Sequence, residues 1–258
     1  MFEKRVKIKK NEELGPGYFR MELDCPEIAA AGAPGQFVMV RVTEALSPLL
    51  RRPFSISDVD AGGSIALLIR VVGEGTRILS EKKAGESVDV LGPLGKGFDI
   101  GGLSGPALLV GGGIGAAPLI FLARRLAEKG VPGRVLLGGR TAADILCAPV
   151  FESLGMEAET ATEDGSLGRK GLVTELLAQA LTPGASAFTV FSCGPEGMLK
   201  AVAGMCRRSG AACQLSLEAA MACGMGACLG CATPRSGGGY LHVCTDGPVV
   251  SASLWPAG

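Results

Sequence analysis

Three cysteines and three glycines fall within the nine residues CGMGACLGC that begin at Cys223. Four residues separate Cys223 from Cys228, two separate Cys228 from Cys231, and Cys244 follows after twelve more. The C-x4-C-x2-C opening is the spacing of plant-type iron–sulfur sites. In a [2Fe–2S] cluster two thiolates bind each iron, and bridging sulfides carry negative charge. N–H groups of a tight loop can stabilise that charge, so Gly224, Gly226 and Gly230 are expected to bring the backbone close at positive φ. A structural zinc on four cysteines is the alternative. Zinc sites usually pair two short CxxC knuckles, whereas here three ligands share one loop and the fourth stands alone. The spacing favours the cluster, with Cys223, Cys228, Cys231 and Cys244 as ligands. The short return to Cys244 points to a small dedicated domain.

Four further stretches have side chains or turns suited to a dinucleotide. In RRPFSIS, Arg52 can meet a pyrophosphate with a bidentate fork. Phe54, after Pro53, can cover an aromatic ring or the ribose, and Ser55 can bond a flavin edge. The same stretch also reads as an ordinary strand. In LLIRVVGEGTRIL, Arg70 is a charge in an apolar strand, flanked by Ile69 and Val71. Gly75 and Thr76 then open a helix whose N–H groups and dipole favour phosphate, or they are a plain helix cap. In VGGGIGAAP, Gly111, Gly113 and Ala116 satisfy G-x-G-x-x-A, with Gly112, Ile114 and Gly115 in the same turn. That fingerprint also wants an acid closing the second strand. Here the strand ends LLGGR, with Arg140 and no Asp, so the strict Rossmann match fails. Arg140 is left to meet an adenosine ribose, a 2′-phosphate or solvent. In SCGPEGM, Cys193, Gly194 and Pro195 follow a final strand, at the carboxyl edge where such sheets bind ligands. Cys193 is either a small core residue or a neighbour of the nicotinamide. His242 is the sole histidine and stands beside Cys244 as a surface or supporting group.

These stretches need elements to hold them. RVKIKK, YFRMEL, GQFVMVRV, RPFSISD, SIALLIRVV and ESVDVLG read as six short strands separated by turn clusters, an antiparallel barrel or sandwich. GEGTRILSEKKAG reads as a short helix. From about residue 103 strands alternate with helices: PALLVGGG, AAPLIFLARRLAEKG, RVLLGGR, DILCAPVFESLG, MEAETAT, GLVTELLAQAL, AFTVFSCGP and EGMLKAVAGMCRRSG. That alternation implies a parallel sheet with both faces covered. From about Cys213 neither pattern holds, and TPRSGGGYLHVC is a hairpin candidate. The expected fold is therefore α+β and multidomain. A six-stranded antiparallel barrel spans residues 1–102, a parallel-sheet α/β domain spans 103–212, and a small cluster domain spans 213–258.

Twenty-five basic and 25 acidic side chains balance to zero net charge, which gives no footprint for nucleic acid or an anionic membrane. The start, MFEKRVKIKK, lacks the apolar core of a signal peptide. The uncharged run from Ile100 to Ala123 is broken by glycines and fits a strand, turn and helix better than a membrane span. An odd count of nine cysteines with three in one cluster is metal usage in a reducing, cytoplasmic setting, not a disulfide framework.

In this order, RPFS, GGGIGAAP and CGPEGM resemble the ferredoxin reductase superfamily. With CGMGACLGC and Cys244, LGPLGKGF and EDGSLGRKGLV, the whole chain resembles the electron-transfer subunits of NAD-dependent (class 1B) dihydroorotate dehydrogenases, which serve pyrimidine biosynthesis. The resemblance implies FAD in the barrel, held by Arg52 to Ser55, Ile69 to Val71, Gly75 and Thr76. It implies NAD on the second domain and a [2Fe–2S] cluster in the tail. Phe54 stands where related reductases commonly carry Tyr, so that hydroxyl contact is absent. The resemblance further implies a separate catalytic subunit that oxidises dihydroorotate on FMN, with two copies of each chain in a heterotetramer. Electrons would pass singly to the cluster, then to FAD, then as hydride to NAD+. Two rival readings are a reductase subunit of a ferredoxin:NADP reductase or sulfide dehydrogenase complex, and a non-catalytic nucleotide-binding module with structural zinc. In the reductase subunits an Asp can replace the first cysteine, and Cys223 is intact.

Overall fold

Side chains that point alternately inward and outward suit a sheet with one buried face. The first hundred residues fold that way in a computed structural model, which describes residues 1–103, 105–181 and 188–256. The strands β1 (Phe2–Gly15), β2 (Tyr18–Asp24), β3 (Phe37–Arg41), β4 (Arg52–Ser55), β5 (Asp58–Val59), β6 (Ser64–Arg70) and β7 (Ser87–Leu94) form one antiparallel sheet. Their order is β4-β3-β7-β1-β2-β6-β5. β4 and β5 are neighbours in the chain but stand at opposite ends of that order. Between them Ile56 N–H donates to Gln36 O at 3.0 Å and Ser57 N–H to Ala66 O at 2.9 Å. The chain thus crosses from the β3 edge to the β6 edge and closes the sheet into a barrel, which leaves few open edges. RPFSISD, expected as one strand, is divided by this crossing. Ile8, Met21, Leu23, Val38, Val40, Ile65 and Leu67 fill the interior. A short helix that the sequence reading missed, α1 (Pro26–Ala31), buries Ile28 in the same core.

The expected helix in the barrel is α2 (Glu74–Glu81). Asn11 donates its Nδ2 to the carbonyls of Leu79 and Lys82 at 3.0 and 2.8 Å, which ties the end of α2 to β1.

The second sheet contains β8 (Ala107–Gly112), β9 (Gly133–Gly139), β10 (Glu157–Thr162), β11 (Arg169–Lys170), β12 (Thr189–Cys193) and β13 (Ala212–Ser216), all pairing in parallel. Ala187, the expected start of the β12 stretch, lies outside the described residues. α3 (Ala117–Glu128) and α4 (Ala148–Ser153) pack on one face, and α5 (Val173–Ala180) and α6 (Glu196–Ser209) on the other. The apolar runs of β8 and β12 are buried on both sides, as covered parallel strands require.

The tail departs from expectation. The boundary placed at 213 falls inside β13, whose Cys213 and Leu215 are buried. The chain then makes the hairpin β14 (Ala232–Pro234) and β15 (Tyr240–His242), as the glycine-rich turn predicts, and returns as β16 (Val249–Ser251). β16 pairs antiparallel with β13 and occupies the sheet's outer edge. Backbone groups on that edge need partners, and the tail supplies them. Among the described residues no helix is long and apolar enough to cross a membrane.

Candidate functional site

The cysteine loop is shaped by backbone. Gly224 and Gly226 take φ of 73° and 85°, which only glycine adopts without strain. Gly230 does not; Leu229 carries the positive φ instead, at 58°. A Cβ on Gly230 would meet only Cys228 Sγ at 3.6 Å, an ordinary contact. The expectation for Gly230 is thus corrected, because the turn is made one residue earlier. With this backbone, N–H groups point at sulfur. Met225 and Cys228 donate to Cys223 Sγ at 3.5 and 3.4 Å, and Gly230 donates to Cys228 Sγ at 3.5 Å. Gly226 donates to Cys244 Sγ at 3.2 Å, and Cys244 N–H to Cys231 Sγ at 3.4 Å.

The thiols fall into two pairs. Cys231 and Cys244 are each 3% exposed, with sulfurs 3.2 Å apart. Cys223 is half-buried and Cys228 is exposed. The N–H of Met225 is the largest cause holding the Cys223 thiol down to about 6. Burial and the Cys231 thiol push Cys244 up to about 11. Amide donors aimed at four sulfurs, arranged two and two, fit a cluster in which each iron takes two thiolates. Among the described residues no three His, Cys, Asp or Glu side chains gather round a single point as one metal ion would need.

A cleft of about 790 Å3 separates the barrel from the second sheet. Of the predicted residues, Pro53, Phe54, Ser55, Ile69, Arg70 and Thr76 line its barrel wall. Gly112, Gly113, Ile114, Gly115, Arg140, Cys193, Gly194 and Pro195 line the opposite wall. The ends of β8 and β12 touch there: a Cβ on Gly115 would fall 2.5 Å from Cys193 O. Close approach thus requires glycine at 115. Cys193 is buried, and burial pushes its thiol up to about 12. Gly111, Val71, Arg52 and Gly75 lie outside the lining. Gly111 packs behind the turn, where a Cβ would sit 3.1 Å from Ala116 Cα, and Val71 packs on the barrel core. Arg52 lies against the start of α2, its Nε 3.1 Å from the position of a Cβ on Gly75. Its Nη1 donates to Leu50 O at 2.6 Å. The guanidinium and the free first-turn N–H groups of α2 therefore stand together, a fit for pyrophosphate. The Thr76 hydroxyl is committed to the helix cap. It donates to Gly73 O at 2.9 Å and accepts from Val72 N–H at 2.9 Å.

Asp144 and Glu218 line the cleft and were missed in the sequence, as was Tyr18, which bonds Asp144. Tyr18 on β2 donates its hydroxyl to Asp144 Oδ1 at 2.6 Å across the two domains. The Arg70 guanidinium lies 5.5 Å from the Tyr18 ring centre, so the charge in the apolar strand has its partner there. Glu218 lies on the cleft wall, just past β13. Desolvation by the surrounding protein raises its carboxyl pKa, although the side chain is exposed through the open cleft and water limits the effect. Period and spacing mark none of these, because each depends on an element brought from elsewhere. His242 lies with its Nδ1 3.7 Å from Asp246 Oδ2.

The cleft and the cysteine loop share β3. Phe37 lines the cleft. Met39, on the same face two residues on, packs 2.6 Å from the position of a Cβ on Gly224. A second contact between barrel and α/β domain lies further round, where Arg124 on α3 meets Asp58 on β5 with two bonds of 2.7 and 2.6 Å.

Three family descriptions match successive parts of the chain. Residues 5–98 match an oxidoreductase FAD-binding domain, 109–204 an oxidoreductase NAD-binding domain, and 218–254 the iron–sulfur cluster binding domain of dihydroorotate dehydrogenase B. The dihydroorotate dehydrogenase B (NAD(+)) electron transfer subunit of Desulforamulus reducens is 44% identical over 240 residues, covering 92% of this chain and 91% of the relative. That of Geobacillus thermodenitrificans is 42% identical over 253 residues, covering 96% of each. Among solved structures, a chain of the NADH-dependent reduced ferredoxin–NADP oxidoreductase superposes with a TM-score of 0.88 at 30% identity, over 98% of this chain and 90% of that one. The cytochrome b5 reductase domain of Ulva prolifera nitrate reductase shares the fold, with a TM-score of 0.65 at 18% identity over 81% of this chain and 94% of that one. The barrel, the parallel sheet and the cysteine loop thus occur together in relatives along nearly the whole length, and the chain belongs to the family of electron-transfer subunits of NAD-dependent dihydroorotate dehydrogenase B, oxidoreductase subunits with FAD-binding, NAD-binding and iron–sulfur-binding domains.

Proposed function

We propose that this chain passes electrons from dihydroorotate, oxidised on the FMN of a catalytic partner subunit, through a [2Fe–2S] cluster and FAD to NAD+ in the cytoplasm. When bound, FAD would exchange both single electrons and a hydride, which suits a place between a one-electron cluster and NAD+. The observation that carries this order is the shared wall. β3 presents Phe37 to the cleft and Met39 to the cysteine loop, so the two sites back onto one strand.

The chain's own residues take the following parts. Cys223, Cys228, Cys231 and Cys244 hold the cluster, and the loop amides offset its charge. Arg52 and the α2 N-terminus hold the FAD pyrophosphate. Gly75 leaves room for the Arg52 side chain, and Thr76 fixes the helix start. Pro53, Phe54, Ser55, Ile69 and Arg70 border the flavin, with Val71 supporting the wall from the core. The turn Gly111 to Gly115 and the residues Gly194 and Pro195 receive the nicotinamide nucleotide, Arg140 meets its adenosine half, and Cys193 borders the nicotinamide. Three structural units follow from this assignment. They are the barrel, the α/β unit that also takes β13 and β16, and the cysteine loop with its hairpin between those strands.

The partner docks on the cysteine side. Cys223 and Met225 share a surface groove with Met1, Leu49 and Leu50. Leu46 and Leu49 are 86% and 63% exposed, apolar surface of the kind a permanent partner covers. Membership of this family implies a catalytic dihydroorotate dehydrogenase subunit; two copies of each chain complete our proposal. The second reading, a reductase subunit of the ferredoxin–NADP type, draws on the 0.88 TM-score of that structural relative. Native co-purification with dihydroorotate-dependent NADH formation tests the two. Activity in a complex of two FMN-bearing and two flavin–iron chains is expected. A mass that fits only one of each would overturn the stoichiometry, and an FMN-less or dihydroorotate-inert complex would favour the second reading.

A further inference from the structure

The second strand of the nucleotide sheet, β9, ends at Gly139 and is followed by Arg140, with no acid at its tip. The fold supplies one from four residues further on. Asp144 turns back so that its Oδ2 accepts the N–H of Arg140 at 3.0 Å and of Thr141 at 3.2 Å. Its Oδ1 accepts the Tyr18 hydroxyl at 2.6 Å. The carboxylate is packed so closely on the strand end that a Cβ on Gly139 would lie 2.8 Å from Asp144 Cβ. It lines the cleft, as does Glu163 just beyond the end of β10.

We propose that Asp144 is the residue that selects NAD over NADP, by fixing a negative charge where the adenosine ribose of the nucleotide lies. The inference rests on the reading that NAD+ is the acceptor. In open parallel sheets the dinucleotide lies across the carboxyl ends of the strands. With the turn after β8 at the diphosphate and the end of β12 at the nicotinamide, the adenosine half falls over β9. An acid there accepts the ribose 2′-hydroxyl. Oδ2 is filled by its two N–H donors, while Oδ1 accepts only the Tyr18 hydroxyl and retains a second acceptor site for the ribose. A 2′-phosphate would instead bring a like charge against a group that three donors and the barrel wall hold in place, a repulsive element of the kind specificity needs. Two cations stand near. Arg70 is engaged over the Tyr18 ring at 5.5 Å, and Arg140 is exposed, so it meets the adenosine half from the solvent side. Asp144, unlike Arg140, is held in place by named hydrogen bonds.

The test is calorimetric titration of the cofactor-loaded chain with ADP-ribose and with 2′-phospho-ADP-ribose, alongside flavin reduction by NADH and NADPH. The natural chain is expected to prefer the unphosphorylated ligand. Asp144→Asn, which keeps the shape and loses the charge, is expected to shift the ratio of the two affinities toward the 2′-phosphate by about tenfold or more. Flavin loading verifies the fold of each variant. Asp144→Glu keeps the charge and is expected to keep the preference, which covers the case of a poorly folded Asn variant. Asp58→Asn breaks the other barrel-to-sheet contact and is expected to leave the ratio unmoved. An unmoved ratio in Asp144→Asn with intact ADP-ribose binding overturns the proposal alone, as does an equal shift in Asp58→Asn. A natural chain that binds neither ligand, and whose flavin neither NADH nor NADPH reduces, overturns the NAD reading and the proposal with it.

Discussion

The cysteines of the loop all lie between Cys223 and Cys244, while the walls of the cleft draw on residues as distant as Phe37 and Pro248. The loop sets its sulfurs mainly through local backbone, with amides a few residues away pointing at thiols. The cleft sets its side chains through topology. β3, β4 and β6 offer one wall, the ends of β8, β9 and β12 the other, and single side-chain pairs such as Tyr18–Asp144 join the two domains. A short-range site is therefore sensitive to backbone substitutions inside it. A long-range site is sensitive to whatever aligns its two walls.

The largest expected effect would separate the two regions outright. Cys228→Ser should abolish electron flow from the catalytic partner while NADH oxidation by artificial two-electron acceptors stays largely intact. Loss of both activities in a folded, flavin-loaded variant would mean that the cleft depends on the loop, and the carrier order would fall. A smaller effect lies within the loop. Gly226→Ala places a side chain at a φ of 85° with its Cβ 2.8 Å from Thr245 Cγ2, and should cost about 1–3 kcal/mol through backbone strain and overpacking. Gly230→Ala should stay within about 0.5 kcal/mol, because the added methyl meets ordinary contacts. Iron content and thermal melting of the two variants, compared side by side, check this. Equal losses would show that amide proximity and not φ controls the loop.

A third effect concerns the cleft. Burial, helped by the hydrogen bond to Asp144, pushes the Tyr18 phenol up to about 12. A group whose folded pKa is raised contributes stability that is complete below its unfolded value, near 10, and is lost as pH climbs toward 12. Tyr18→Phe should therefore cost about 1.5–3 kcal/mol at pH 7, the range for a hydrogen bond to a charged acceptor. The gap between natural chain and variant should narrow by pH 11. Denaturant melts at the two pH values measure it, and a gap that widened with pH would refute the assignment of Tyr18 as donor.

Much of this molecule was legible before folding. The strands of the barrel follow from alternation, and the helices of the second domain from apolar periodicity and glycine stops, Gly130 among them. The cysteine spacing marked its loop because its ligands are near in sequence. Other features were not legible. RPFSISD reads as one strand, and only closure of the barrel splits it at Ile56 and Ser57. β13 and β16 were read as tail because their pairing is with each other and with β12, far away in the chain. Gly230 looked like its neighbours, yet the positive φ passed to Leu229.

The sequence by itself determined which segments become strands, helices and turns, and which residue types stand ready for metal and phosphate. Those depend on local periodicity, on φ preferences and on ligand spacing, all of which act within a few residues. Tertiary structure decided which of them meet. It placed Asp144 back over the end of β9 and under Tyr18, set Glu218 and Cys193 on one cleft, and put the cysteine loop against Met39 of the barrel. Such contacts form only when sheets close and domains pack, because buried backbone edges and apolar faces must be satisfied by whatever part of the chain can reach them.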